Sequence, residues 1–194
     1  NEYGPTENSI TTTLQRGIEP DTKITIGNPI ANTEVYILDN NQNLLPIGVG
    51  GELCISGSGM ARGYLNRPEL TGEKFIDNPF KEGRLYRTGD LARWLANGEV
   101  EFMGRIDNQV KIRGYRIELG EIENQILEIE YISKAIVLDR DVSNNGNKDI
   151  CAYIVTDKDW KTTKLREELA KELPDYMIPS YFVEIENIPL TPNG

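Results

Sequence analysis

The 194-residue chain is 38% hydrophobic, enough to bury a core in one large domain or two small lobes, which excludes a disordered tail. Its 31 acidic and 21 basic side chains leave a formal charge of −10. They are mixed along the chain, so there is no basic face of the kind a nucleic-acid backbone requires, and no nucleic-acid partner is expected. Without a single histidine, the chain can supply neither a Cys/His zinc site nor a His general base. No apolar run approaches the ~20 residues that span a bilayer. No signal-peptide pattern opens the sequence, so the expectation is a cytoplasmic protein with no membrane partner. Cys54 and Cys151 lie far apart in apolar segments, as two reduced core thiols would.

In chain order, short strand-like runs come first, at 33–38, 51–56, 84–87 and 99–103, separated by glycine- and proline-rich turns. This half reads as β-rich and distorted barrel-like. The stretch 57–79 reads as a long polar loop, and loops of that length in compact domains are often functional. Beyond residue 109 the pattern becomes strand 109–113, helix 120–130, strand 135–139, strand 150–155, helix 163–173 and strand 181–185. That is an α+β lobe of order β-α-β-β-α-β. Leu119, Ile122, Ile126 and Ile129 form one apolar stripe, and Leu165, Leu169 and Leu173 form another, so both helices should pack on one sheet face. Thr162 or Thr163 is the expected N-cap of the second helix, and Pro174 its stop. The segment 141–149 reads as an exposed loop. A boundary is placed at Asp107, giving a first unit 1–106 and a second 107–194, neither net positive.

Four segments combine residue types that suit chemistry, each with a plainer reading beside it. Asn1 to Glu7 (NEYGPTE) sets an aromatic, a Gly-Pro turn, a hydroxyl and a carboxylate within seven residues. The turn can hold Tyr3 as a stacking surface with Thr6 and Glu7 toward phosphate and metal. A solvated loop whose Tyr packs explains it equally. Gly57, Gly59 and Gly63 imitate a dinucleotide fingerprint, but the third glycine is one position late, so tight-turn glycines are the better reading. In YRTGDL, Asp90 follows a Thr-Gly turn at the end of a short strand. A carboxylate there suits paired ribose hydroxyls, or it closes an Asx turn. Arg105, Lys111, Arg113 and Arg116 crowd into twelve residues of an acidic chain. Lys111 and Arg113 on one strand face could meet an anion, or form weak surface ion pairs.

Together with GELCISGSGMARGYLNRPELTGEKF, GRIDNQVKIRGYRIELGEIE and LPDYMIPSYFVEIENIPLTPNG, these segments resemble the adenylation domains of nonribosomal peptide synthetases, in that family's order and separations. The resemblance covers nearly the whole chain, and the expectation is the C-terminal portion of such a domain. It implies an ATP-dependent, AMP-binding ligase of antibiotic and secondary-metabolite biosynthesis. An amino-acid carboxylate attacks the α-phosphate of Mg-ATP, and the resulting aminoacyl-AMP passes its acyl group to the phosphopantetheine thiol of a peptidyl carrier protein among neighbouring synthetase domains.

By the same resemblance, Tyr3 stacks on adenine beside Phe102, and Gly4 and Thr6 lie at the nucleotide, with Thr6 on phosphate. Glu7 holds Mg²⁺, Asp90 binds the ribose, and Arg105 lies between ribose and phosphate. Glu2, Ile10 and Thr11 line the side-chain pocket of the amino-acid substrate. Asp107 is the hinge about which the second unit turns. The loop with Lys111, Arg113, Gly114 and Arg116 serves the thioester-forming step. The family's phosphate loop and α-amino-binding Asp would lie before Asn1 and its catalytic Lys after Asn193-Gly194, so the 194 residues alone are expected to be inactive. An acyl-CoA or aryl-acid ligase of the same superfamily, and a non-catalytic docking module, are the alternatives.

Overall fold

The computed structural model describes residues 1–142 and 146–189. The middle of the 141–149 loop and the closing residues 190–194, with Asn193-Gly194, lie outside them. The chain divides into two compact units, Asn1–Asp107 and Asn108–Gly194.

The first unit opens with three two-residue strands, β1 (Glu2–Tyr3), β2 (Thr13–Leu14) and β3 (Asn28–Pro29), paired antiparallel in that order. A five-stranded antiparallel sheet follows: β4 (Thr33–Leu38), β5 (Gly51–Gly57), β6 (Phe75–Asp77), β7 (Arg84–Trp94) and β8 (Val100–Arg105). β7 is its spine. β5 lies along one side of it with β4 beyond, while on the other side β6 pairs with residues 84–86 and β8 with residues 90–94 at the opposite ends of β7. Register shifts at Glu52/Cys54 and Leu91/Ala92 interrupt the ladder. Such irregularities bend a strand and raise its twist; the sheet curls into a half-barrel, where the short strands and frequent turns predicted a distorted barrel-like unit. β5 is covered on both faces: Leu53 and Ile55 join Ile26, Ile37, Phe75, Tyr86, Ala92 and Val100 in one core, and Cys54 joins Leu38 and Leu85 in another. The run Leu53-Cys54-Ile55 reads accordingly as continuously apolar rather than alternating.

The loop expected over 57–79 carries structure. A helix, α1 (Pro68–Lys74), begins with Pro in its first turn, and β6 follows it directly. None of its residues is buried, so it has no apolar stripe by which periodicity could have found it. The strand expected over 84–87 runs on to Trp94, because Gly89 takes φ 73° and the chain continues in the ladder instead of turning. Asp90 therefore lies within a strand, not after its end.

In the second unit, β9 (Gln109–Ile112) and β10 (Tyr115–Glu118) form a hairpin of their own. Helix α2 (Leu119–Leu127) leads to β11 (Ile132–Arg140) and β12 (Asp149–Thr156), and helix α3 (Thr162–Leu169) leads through a 3₁₀ turn (Asp175–Met177) to β13 (Tyr181–Glu184). The sheet order is β11-β12-β13, antiparallel then parallel, with α3 in the crossover that a parallel pair needs. The expected β-α-β-β-α-β order thus gains one strand, since Arg113 (φ 52°) and Gly114 (φ 84°) make a two-residue turn with both φ positive and send the chain straight back. Leu119, Ile122, Ile126 and Ile129 meet Leu165, Leu169 and Leu173 over Ile150, Ala152 and Ile154, so both helices share one core as their stripes required. Neither Thr162 nor Thr163 caps α3. Lys161 holds the N-cap position in extended conformation without a side-chain cap, and both threonines fall in the first turn. Cys54 and Cys151 are buried and free, and no helix among the described residues is long and apolar enough to cross a membrane.

Candidate functional site

Asp90 stands directly opposite Arg105 across the β7–β8 ladder. The Arg105 guanidinium donates through Nη1 to Asp90 Oδ1 at 2.8 Å, and through Nε and Nη2 to the two oxygens of Asp107 at 2.6 and 2.5 Å. Tyr3 Oη donates to the other Asp90 oxygen. Beneath Asp90, Thr88 Oγ1 donates to the Leu53 carbonyl at 2.6 Å and accepts from the Asp90 amide at 2.9 Å. Glu52, held by Arg87 at 2.7 Å, accepts from the Gly89 amide at 3.2 Å. Gly89 takes φ 73°, where a side chain is strained, and a Cβ there would also displace Arg105 Nη2 and Asp107 Oδ2, each 2.7 Å away. These contacts hold a carboxylate that is only 6% exposed in one orientation, as a buried charge demands.

Tyr3 and Phe102 lie with ring centroids 6.5 Å apart and planes inclined by 34°. Phe102 is 44% exposed, leaving an aromatic edge to solvent. Burial, then the negative charge of Asp90, push the Tyr3 phenol far above its ordinary pKa, so it remains a donor.

Glu7 is buried, and Tyr64 Oη donates to its Oε1 at 2.7 Å. Among the described residues no three Asp, Glu, Cys or His side chains gather as an ion cage. A single carboxylate nevertheless suits Mg²⁺, which takes one or two protein carboxylates and completes its shell with water and substrate phosphates. The donor set at Glu7 therefore fits that ion and would not make a closed zinc or calcium site.

Thr6 is exposed in the turn between Gly4 and Glu7. Gly4 packs so closely on the returning chain that a Cβ would meet the Ile10 carbonyl oxygen at 2.2 Å. Ile10 is 84% exposed, Glu2 is exposed and Thr11 half-buried. Lys111, Arg113, Gly114 and Arg116 are all exposed in the β9–β10 hairpin. Lys111 and Arg116 are cross-strand partners on the solvent side, but Arg113 shares no strand face with Lys111. It occupies the turn and pairs with Asp149 at 2.6 Å. The expected Lys111–Arg113 face fails because the strand ends one residue earlier.

The structure thus brings together Tyr3, Asp90, Phe102, Arg105 and Asp107 from three strands and a strand end. Tyr64, Thr88 and Glu52 were not found by sequence reasoning. Tyr64 and Glu7 are 57 positions apart, and no periodicity links them.

Comparison with known proteins places the chain in a family. The AMP-binding enzyme family matches residues 1–65, and the AMP-binding enzyme C-terminal domain matches residues 121–194. Bacitracin synthase 3 of Bacillus licheniformis is 60% identical over the whole chain, which covers 3% of that protein. Gramicidin S synthase 2 of Aneurinibacillus migulanus is 57% identical, again over the whole chain and 4% of the relative. A solved NRPS protein containing adenylation and PCP domains superposes with a TM-score of 0.81 at 33% identity, over 98% of this chain and 38% of that one. The chain thus spans a small part of the length of the curated relatives it matches. On these matches and the motifs that run in order through it, the chain belongs to the AMP-binding enzyme family, within the adenylation domains of nonribosomal peptide synthetases.

Proposed function

We propose that this chain is part of a ligase that joins an amino acid to ATP, releasing pyrophosphate, and then hands the aminoacyl group from AMP to the phosphopantetheine thiol of a carrier protein. The observation that carries the reading is Asp90 held between the Tyr3 hydroxyl and the Arg105 guanidinium. A carboxylate whose rotamer is fixed in advance can accept the paired hydroxyls of a ribose without the cost of ordering itself. Tyr3 and Phe102 offer the aromatic surface beside it for adenine. Arg105, fixed by two carboxylates, lies on the ribose and phosphate side. Gly4 keeps the NEYGPTE turn tight, so that the Thr6 hydroxyl can reach phosphate.

Glu7 would hold Mg²⁺, which supplies charge neutralisation to the phosphates when bound. The chain's own work is positioning: it orients the nucleotide so that the substrate carboxylate meets the α-phosphate in line. Glu2, Ile10 and Thr11 form part of the pocket for the amino-acid side chain. Asp107 is the hinge between the two half-reactions, and the hairpin bearing Lys111, Arg113, Gly114 and Arg116 serves the second. The carrier protein and neighbouring synthetase domains are the macromolecular partners.

The test is amino-acid-dependent pyrophosphate exchange by the full-length synthetase, and by the same protein carrying Asp90→Ala. Exchange that falls at least about tenfold, with most of the loss in the KM for ATP, is expected. Unchanged ATP dependence would remove the ribose role from Asp90.

A further inference from the structure

Within that reading, and resting on it, we infer that Tyr64 is a positioning residue for Glu7: its phenol fixes the carboxylate in the orientation from which it meets the Mg²⁺ of Mg-ATP. The segment 61–64 grips Glu7 twice. The Ala61 amide donates to the Glu7 carbonyl at 2.7 Å, and Tyr64 Oη donates to its side-chain oxygen at the same distance. Main chain and carboxylate are therefore located by one loop.

That loop is itself immobilised from three directions. The Arg84 guanidinium donates to the carbonyls of Arg62 and Ala61 at 2.8 and 3.0 Å. The Tyr64 amide donates to Thr71 Oγ1 at 2.9 Å, and Thr71 Oγ1 in turn donates to the Arg67 carbonyl at 2.8 Å at the start of α1. Gly63, at φ 146°, lets Thr71 come so near that a Cβ would meet its Cγ2 at 2.4 Å. The Tyr64 ring stands edge-on to Phe75, centroids 5.6 Å apart, and Phe75 lies 4.9 Å from Tyr86 in the core. Packing alone would be satisfied by phenylalanine. The hydroxyl has a specific acceptor, and that acceptor is a buried carboxylate, for which a fixed donor is the usual means of setting a ligand's direction. The exposed helix α1 thereby serves the site at one remove, because it holds the loop that holds Glu7.

The experiment compares the full-length wild-type synthetase with Tyr64→Phe, Glu7→Gln and the double variant. Two readouts are taken: the Mg²⁺ concentration giving half-maximal pyrophosphate exchange, and the affinity for Mn²⁺ in the presence of ATP, followed by the loss of the free-ion EPR signal. Tyr64→Phe should raise the Mg²⁺ requirement and weaken Mn²⁺ binding by about tenfold each, the typical cost of removing a group that orients a metal ligand. The KM for the amino acid should stay near wild type. In the Glu7→Gln background, Tyr64→Phe should add nothing, because its effect passes through the carboxylate.

Unchanged metal dependence in Tyr64→Phe, with Glu7→Gln shifted, would overturn the inference and leave Tyr64 as a packing residue. Full additivity in the double variant would overturn it too. Wild-type synthetase without amino-acid-dependent exchange would instead strike the adenylation reading on which the inference rests.

Discussion

Arg105 is shared between two carboxylates, holding Asp90 at 2.8 Å across the sheet and Asp107 at 2.6 Å along the chain. One guanidinium thus links the carboxylate proposed for the ribose to the last residue of the first unit. A planar fork with five donors does this in a fixed geometry, which the three rotatable donors of an ammonium do not impose.

Arg105→Ala leaves Asp90 buried with its charge uncompensated by that partner. Breaking a fully buried pair costs roughly 3–5 kcal/mol. The Arg105 side chain is 20% exposed, so the expected loss is smaller, about 2 kcal/mol in urea unfolding. Arg105→Lys should recover less than half of it, since it restores charge but not the fork.

Alkaline pH should unfold the protein partly through Tyr3. Its pKa is raised in the folded state, so the native form keeps a proton that the unfolded chain releases above about pH 10. Stability is then fully present below about pH 10 and falls as pH rises, by about 1.4 kcal/mol per unit for this one group. Tyr3→Phe should flatten the fall measured by urea midpoints between about pH 9 and 11, and an identical slope in the variant would contradict the assignment.

Two glycines separate steric from conformational cost. At Gly4 a Cβ would strike the Ile10 carbonyl at 2.2 Å, so Gly4→Ala must push the NEYGPTE turn away from its neighbour, costing about 1–3 kcal/mol and weakening ATP binding in the full-length enzyme. At Gly114 a Cβ would meet nothing within 4 Å, but φ is 84°. Gly114→Ala should therefore cost only the backbone strain, about 1 kcal/mol. Paired thermal melts check the ordering.

Asp107→Pro removes a backbone donor and fixes φ near about −65°. In the full-length synthetase it should spare one half-reaction and slow the other, as read by pyrophosphate exchange beside carrier-protein loading. Equal rates in both assays would end the hinge proposal.

The stripes Leu119, Ile122, Ile126 and Leu165, Leu169 were legible because a helix repeats its contacts every few residues, so burial writes itself as local period. The Arg113-Gly114 turn and α1 were not. Arg113 at φ 52° is an uncommon choice for a non-glycine turn residue, and α1 buries no side chain that would impose a period. Asp90 and Glu7 could be marked by residue type in a recurring motif, but their partners could not.

The sequence by itself determined the α+β class, the two helix stripes, the reduced cysteines and the family, since each depends on composition, local period or motif order. Only the tertiary structure decided that Tyr3 and Arg105 converge on Asp90, and that Tyr64, 57 positions from Glu7, donates to its carboxylate. Those relationships are set by strand register and by a loop folding back on the chain, and contacts so distant in sequence leave no period for local reading to detect.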